Sequence, residues 1–166
     1  MQPNFYHASD HEIPHWNENG IDFKLIAGEA FGRKSPVPVY SPLYFIELKS
    51  DTKQIVSIGH ELFGESALYI LEGAIESDGN VFGPKQILIA NDTKLCEFVM
   101  HEKTTVYIFG GDAFAEPRSI YWNFVASTPE LIEDAKKRWL EQSFEKVPGE
   151  TEFVPLPPQT NLNLKK

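Results

Sequence analysis

Cysteine is nearly missing from this chain: Cys96 stands alone among 166 residues. A single thiol excludes an internal disulfide framework and any Cys-x-x-Cys metal or redox motif. Long apolar runs are missing too. No stretch approaches the ~18 residues that span a bilayer. Met1 to Ser9 has neither the basic flank nor the apolar core of a secretory leader. The expectation is a cytoplasmic protein with no membrane partner. Positive charge is scarce: 15 Lys plus Arg stand against 24 Asp plus Glu, a formal charge of −9. A nucleic-acid backbone is repelled by that balance unless a local basic patch intervenes. The basic clusters are Lys136, Lys137 and Arg138, inside an acid-rich helical pattern, and Lys165 and Lys166 at the tail. Direct nucleic-acid binding is therefore not expected. What remains, 42% hydrophobic and 23% charged, is the balance of a globular protein, and the length fits one domain.

Twelve prolines and eleven glycines cut the chain into short pieces. Between them lie runs rich in Val, Ile, Phe and Tyr, the residues that suit a pleated, half-buried surface. Strands are expected at Ile21 to Ala27, Tyr44 to Leu48, Gln54 to Ile58, Ala67 to Leu71 and Ala74 to Glu76. Four more are expected at Gln86 to Ala90, Lys94 to Met100, Thr104 to Phe109 and Ser119 to Phe124. Ser77-Asp78-Gly79-Asn80 reads as a hairpin turn, with Gly79 free to take positive φ. Asn91-Asp92, Gly83-Pro84 and Gly110-Gly111 read as breaks. About nine short strands point to an all-β sandwich or barrel.

One helix is expected, over about 128–144. Thr128 is placed to cap it and Pro129 to fill its first position. Leu131, Ile132, Ala135, Trp139 and Leu140 form an apolar stripe at helical spacing. Glu133 with Lys137 and Asp134 with Arg138 are favourable i,i+4 pairs. Residues 1–20 read as an irregular N-terminal arm. Phe153 to Leu156 reads as an extended strip lying on the domain, and 159–166 as a loose tail.

Histidines are the first candidates for chemistry. His7, His11 and His15 would share one face of a helix, but Pro14 disfavours the α conformation at Ile13, so an extended arm is expected instead. The second cluster is His60, Glu61 and Glu65, with His101 and Glu102 on a later turn. Imidazoles and carboxylates at a barrel mouth can converge on an iron ion. The competing reading is an ordinary charged loop, since a transition-metal site asks for more imidazole than this. Cys96 reads as a small buried hydrophobe. Arg118 to Val125, Arg-Ser-Ile-Tyr-Trp-Asn-Phe-Val, is either a ligand-stacking wall or a core strand. In either case Tyr121 and Asn123 would face one side, with Trp122 and Phe124 on the other.

Four segments together resemble one family. They are Phe23 to Gly32 with Ser35 to Val37, Leu68 to Gly73, Gly110 to Ser127, and Phe144 to Pro157. They are similar to the C-terminal domain of the pirin family, within the cupin superfamily. The resemblance implies a double-stranded β-helix, or jelly-roll barrel, over residues 21–158 with one C-terminal α-helix, and a 1–20 arm like the pirin interdomain link. It also implies that iron belongs to an N-terminal barrel absent here, leaving a truncated product or a single-barrel relative. Setting Glu65 on the cupin motif glutamate puts Gly59 and Glu61 at the two histidine positions, with His60 between them. The second motif's histidine has no counterpart between Gly83 and Lys94. No catalytic residue, no metal ligand and no cofactor are therefore assigned to this chain; His60, Glu61, Glu65 and His101 are the candidates should iron bind. The expected partner is an iron-bearing cupin barrel, or a second copy in a homo-oligomer. Two alternatives stay open: an iron-dependent quercetin 2,3-dioxygenase-like oxidoreductase, and a small-ligand-binding barrel.

Overall fold

The computed structural model describes residues 5–90, 97–146 and 148–158, which fall into two compact units divided between Ala113 and Phe114. The first unit holds β1 (His15–Glu18), β2 (Ile21–Ala30), β3 (Arg33–Lys34), β4 (Leu43–Ser50), β5 (Gln54–Ser57) and β6 (Glu65–Glu72). It continues with β7 (Ile75–Ser77), β8 (Asn80–Phe82), β9 (Ile87–Ala90), β10 (Glu97–Met100) and β11 (Thr104–Gly111). The second holds β12 (Ser119–Tyr121), β13 (Phe124–Ala126) and α1 (Pro129–Leu140). Asn91-Asp92, the first half of the Lys94 to Met100 run with Cys96, and the 159–166 tail lie outside the described residues.

In the first unit, strands run in the order β1-β2-β4-β11-β6-β9 in a large antiparallel sheet, with β3 beside β2. A smaller sheet runs β5-β10-β7-β8. Alternation along each strand decides which side chains meet between the sheets. From the large sheet come Leu25, Ile46, Leu48, Leu68, Ile70 and Ile108; from the small one come Val56, Ile75, Phe98 and Met100. All ten are essentially out of contact with water. The result is a jelly-roll sandwich around one apolar interior. Among the described residues no helix is long and apolar enough to cross a membrane.

Two local results differ from the sequence expectation. Residues 1–20 are not all irregular: His15–Glu18 pairs with β2, Trp16 opposite Phe23, their rings stacked at 5.0 Å. The turn is Asn19-Gly20, both at positive φ, the dipeptide that fits the twist of a two-residue hairpin. Gly110-Gly111 is not a break but the end of β11. There the glycines serve close packing. A Cβ on Gly110 would lie 2.2 Å from the Glu65 carbonyl oxygen and 2.4 Å from the Tyr44 hydroxyl. Gly110→Ala is therefore expected to lower stability by about 1–3 kcal/mol, an overpacking cost. Urea denaturation checks it, with Gly83→Ala as a contrast because Gly83 is not at positive φ and nothing lies within 4 Å of a Cβ there.

The Ser77-Asp78-Gly79-Asn80 turn forms as expected, with Asp78 and Gly79 both at positive φ between β7 and β8.

In the second unit, Ser119 to Phe124 is not one strand. Trp122 takes φ 54° and the chain reverses at Trp122-Asn123, pairing Tyr121 with Phe124. The helix stops at Leu140, short of the expected 144. Gln142 takes φ 52°, and the amides of Gln142 and Ser143 bond back to the carbonyls of Trp139 and Arg138. That is a left-handed helix stop made without the usual glycine. The Thr128 side chain does not cap α1. Arg138 reaches Asp134 at 4.0 Å, whereas Glu133 pairs with Lys136 at 2.7 Å rather than with Lys137.

Candidate functional site

The candidate ligands do not come together. His60 and Glu61 lie on a single 3-10 turn, Gly59–Glu61, that follows β5. Glu65 opens β6 opposite Gly111, at the far end of β11. His101 follows Met100 and precedes Thr104, at the near end of β11. Six residues of β11 separate these ends, about 20 Å at strand rise. The small sheet repeats the separation, since Glu97 pairs with Ser57 while Met100 pairs with Gln54.

Three candidates therefore share one end of the sandwich, but each is turned to other work. His60 is 73% exposed, with its Nε2 3.5 Å from a Glu61 oxygen. The other Glu61 oxygen accepts the Phe31 amide at 2.9 Å, which holds a residue kept at φ 53°. Glu65 is exposed, and by alternation from Leu68 and Ile70 it faces the outside of the large sheet. His101 lies 3.8 Å from Glu76, and its Nε2 is buried without a hydrogen bond. Among the described residues no group of three His, Cys, Asp or Glu side chains could hold a metal ion.

The interior is filled by apolar side chains, with hydroxyls bonded at either end. The Tyr44 hydroxyl pairs with the Ser66 hydroxyl. Burial pushes the Tyr44 phenol above its ordinary value, and the Ser66 bond partly offsets that. Thr104 Oγ1 donates to the Ala74 carbonyl at 3.1 Å. A divalent iron centre wants imidazole nitrogen and carboxylate oxygen aimed at one point. Paired hydroxyls do not fit it.

The N-terminal histidines do not form a triad. Asp10–Glu12 makes one 3-10 turn carrying His11, Ile13 is extended, and His15 lies on β1. His15 Nε2 is 3.8 Å from Asp10, whose carboxylate Lys24 holds below its usual range through a 2.5 Å bond.

The aromatic run Arg118 to Val125 builds the inside of the second unit. Trp122 and Phe124 lie on the same cluster, not on opposite faces, because the turn between β12 and β13 brings them together at 5.6 Å. Both meet Trp139, which also stacks on Phe153. Trp139 Nε1 donates to the Val154 carbonyl at 2.8 Å, and the Tyr121 hydroxyl donates to the Pro157 carbonyl at 3.1 Å. The Phe153 to Leu156 strip is tied down as expected.

Two antiparallel sheets around an apolar interior define a cupin jelly roll, and comparison with solved structures agrees. A quercetin 2,3-dioxygenase from Acinetobacter baumannii matches with a TM-score of 0.78 and 26% identity, over 96% of this chain and 55% of that one. The pirin C-terminal cupin domain family matches residues 46–145. A pirin-like protein of Caulobacter vibrioides is 37% identical over 160 residues, 95% of this chain and 54% of its own length. Pirin-like protein 2 of Arabidopsis thaliana is 29% identical over 154 residues, 80% of this chain and 44% of its own length. The chain belongs to the pirin family, through its C-terminal cupin domain. It spans about half the length of the curated relatives it matches.

Proposed function

We propose that this domain is the structural and protein-interaction half of a pirin-type protein, and that it does not itself hold iron. One observation carries the reading. The positions facing the barrel interior are filled by apolar side chains and one hydroxyl pair, Tyr44 with Ser66, while His60, Glu61 and Glu65 lie at one end of the strands and His101 at the other. The expected outcome is protein purified without chelator that carries far less than one equivalent of iron by elemental analysis. It should also bind none after ferrous loading and desalting. Stoichiometric iron together with quercetin turnover would establish the dioxygenase reading instead.

The partner in this proposal is an iron-bearing cupin barrel, the region that would account for the other half of the relatives' length. The docking face is the outer side of the large sheet. Phe45, Phe109, Ala67 and Ile89 form one cross-strand row there, and Tyr69 and Ile87 lie in the next. Ile87 is 59% and Ile89 74% exposed on β9, an edge strand. A contiguous apolar face beside an open edge marks an interaction site. In a preparation of residues 1–166 alone, the face is expected to self-associate. Light scattering after size exclusion should show a concentration-dependent dimer that Ile89→Lys removes. A strict monomer at high concentration would overturn this assignment of the face.

A further inference from the structure

A second feature of the large sheet's outer side is a groove of about 770 Å³ over β2, β4 and β11. Lys24, Glu47 and Tyr107 lie side by side on its floor, cross-strand neighbours on those three strands. Tyr6 and Tyr40 line it with Ile26 and Val37. Of the charges within it, Lys24 and Asp10 pair with each other and Glu47 is left over. The Lys24 ammonium turns away from Glu47 to Asp10, at 2.5 Å. Lys49, next on the same face of β4, forms no ion pair with Glu47 either; among the described residues no cation lies within 4.0 Å of that carboxylate. Beside Glu47, directly across the ladder, stands Tyr107. The carboxylate beside it makes Tyr107 hold its proton above the ordinary phenol range.

A carboxylate without a counter-ion, beside Tyr107 in a groove that Tyr6 and Tyr40 also line, suits a positive charge on an organic body. The carboxylate supplies the Coulomb attraction, and ring faces attract a cation that sheds part of its water. A hard inorganic cation is served poorly, because it asks for several oxygens at short range. An anion is disfavoured, since the Lys24 ammonium in the groove is already engaged by Asp10 and the chain carries −9. We infer that this groove binds an organic cation, an ammonium or guanidinium group seated at Glu47 with its apolar body among Tyr6, Tyr40 and Tyr107. The same chemistry has two sources, a free amine or a basic side chain on a polypeptide.

Calorimetry and amide-shift titrations of the full chain test this with three probes: choline, its neutral isostere 3,3-dimethylbutan-1-ol, and an end-capped tripeptide centred on arginine. At least one cation should saturate, shifting the amides of Lys24, Glu47 and Tyr107. The tighter of the two identifies the source. The neutral isostere and the Glu47→Gln variant should each bind about tenfold more weakly, a usual scale for a partly desolvated cation on aromatic and carboxylate groups. Tyr40→Ala removes a side chain that is 74% exposed, so it leaves the fold intact, and it should cost about threefold. Equal binding of the isostere would overturn the inference, as would unchanged affinity in both variants or shifts that spread over the acidic surface without saturating.

Discussion

Trp139→Ala is expected to cost about 3 kcal/mol and to dissolve the second unit's packing. Trp139 is the hub of that unit. Its ring meets Trp122 at 5.1 Å, Phe124 at 6.1 Å, Phe144 at 6.0 Å and Phe153 at 5.8 Å. Its indole N–H holds the Val154 carbonyl. Truncation removes the ring that joins the β12–β13 hairpin, α1 and the Phe153 strip, and it leaves the Val154 acceptor to water. The estimate sits at the low end for aromatic truncation because Trp139 is half-buried rather than enclosed. Amide exchange checks the result: protection should fall across 119–126 and 129–140. Trp139→Phe should keep part of it, since a ring remains but the donor is lost. Wild-type protection in Trp139→Ala would show that the hairpin, not the ring cluster, holds this unit.

The all-β class was legible because its signal is local: Tyr44 to Leu48 and Ala67 to Leu71 are short apolar, aromatic-bearing runs whichever strand lies beside them. His15–Glu18 was missed for the opposite reason. His-Trp-Asn-Glu has one apolar residue, and it is a strand because Trp16 finds Phe23 across a hairpin. The legible signal was Asn19-Gly20, not the strand. The split of Ser119 to Phe124 was hidden because Trp122 takes a left-handed φ that bulky residues rarely adopt. The helix end was hidden likewise, Gln142 standing where glycine is the expected signal.

The site was less legible than the fold. Sequence spacing put His60, Glu61 and Glu65 near one another, but the end at which His101 lies follows from register, which depends on long-range pairing. The groove over Lys24, Glu47 and Tyr107 had a fainter trace. Lys24 sits between buried Phe23 and Leu25, and Glu47 between Ile46 and Leu48. Such alternation marks the outer face of a strand without saying that Lys24 would turn to Asp10 and leave Glu47 unpaired.

Phe98→Ala is expected to have the largest effect, about 3–5 kcal/mol, against the roughly 5–15 kcal/mol that holds a domain together. Phe98 is 2% exposed and lies on β10, the central pair of the small sheet with β7. It is the one phenylalanine of that sheet's buried set, whose other members are Val56, Ile75 and Met100. Truncation would open a void in the shared interior, whose lining relaxes only partly because both sheets are pinned by ladder hydrogen bonds. Phe98→Leu keeps most of the volume and should cost much less. Urea unfolding of the three proteins gives the comparison. A Phe98→Ala midpoint near that of Phe98→Leu would mean that the two sheets close over the gap, and that the interior is not rigidly packed.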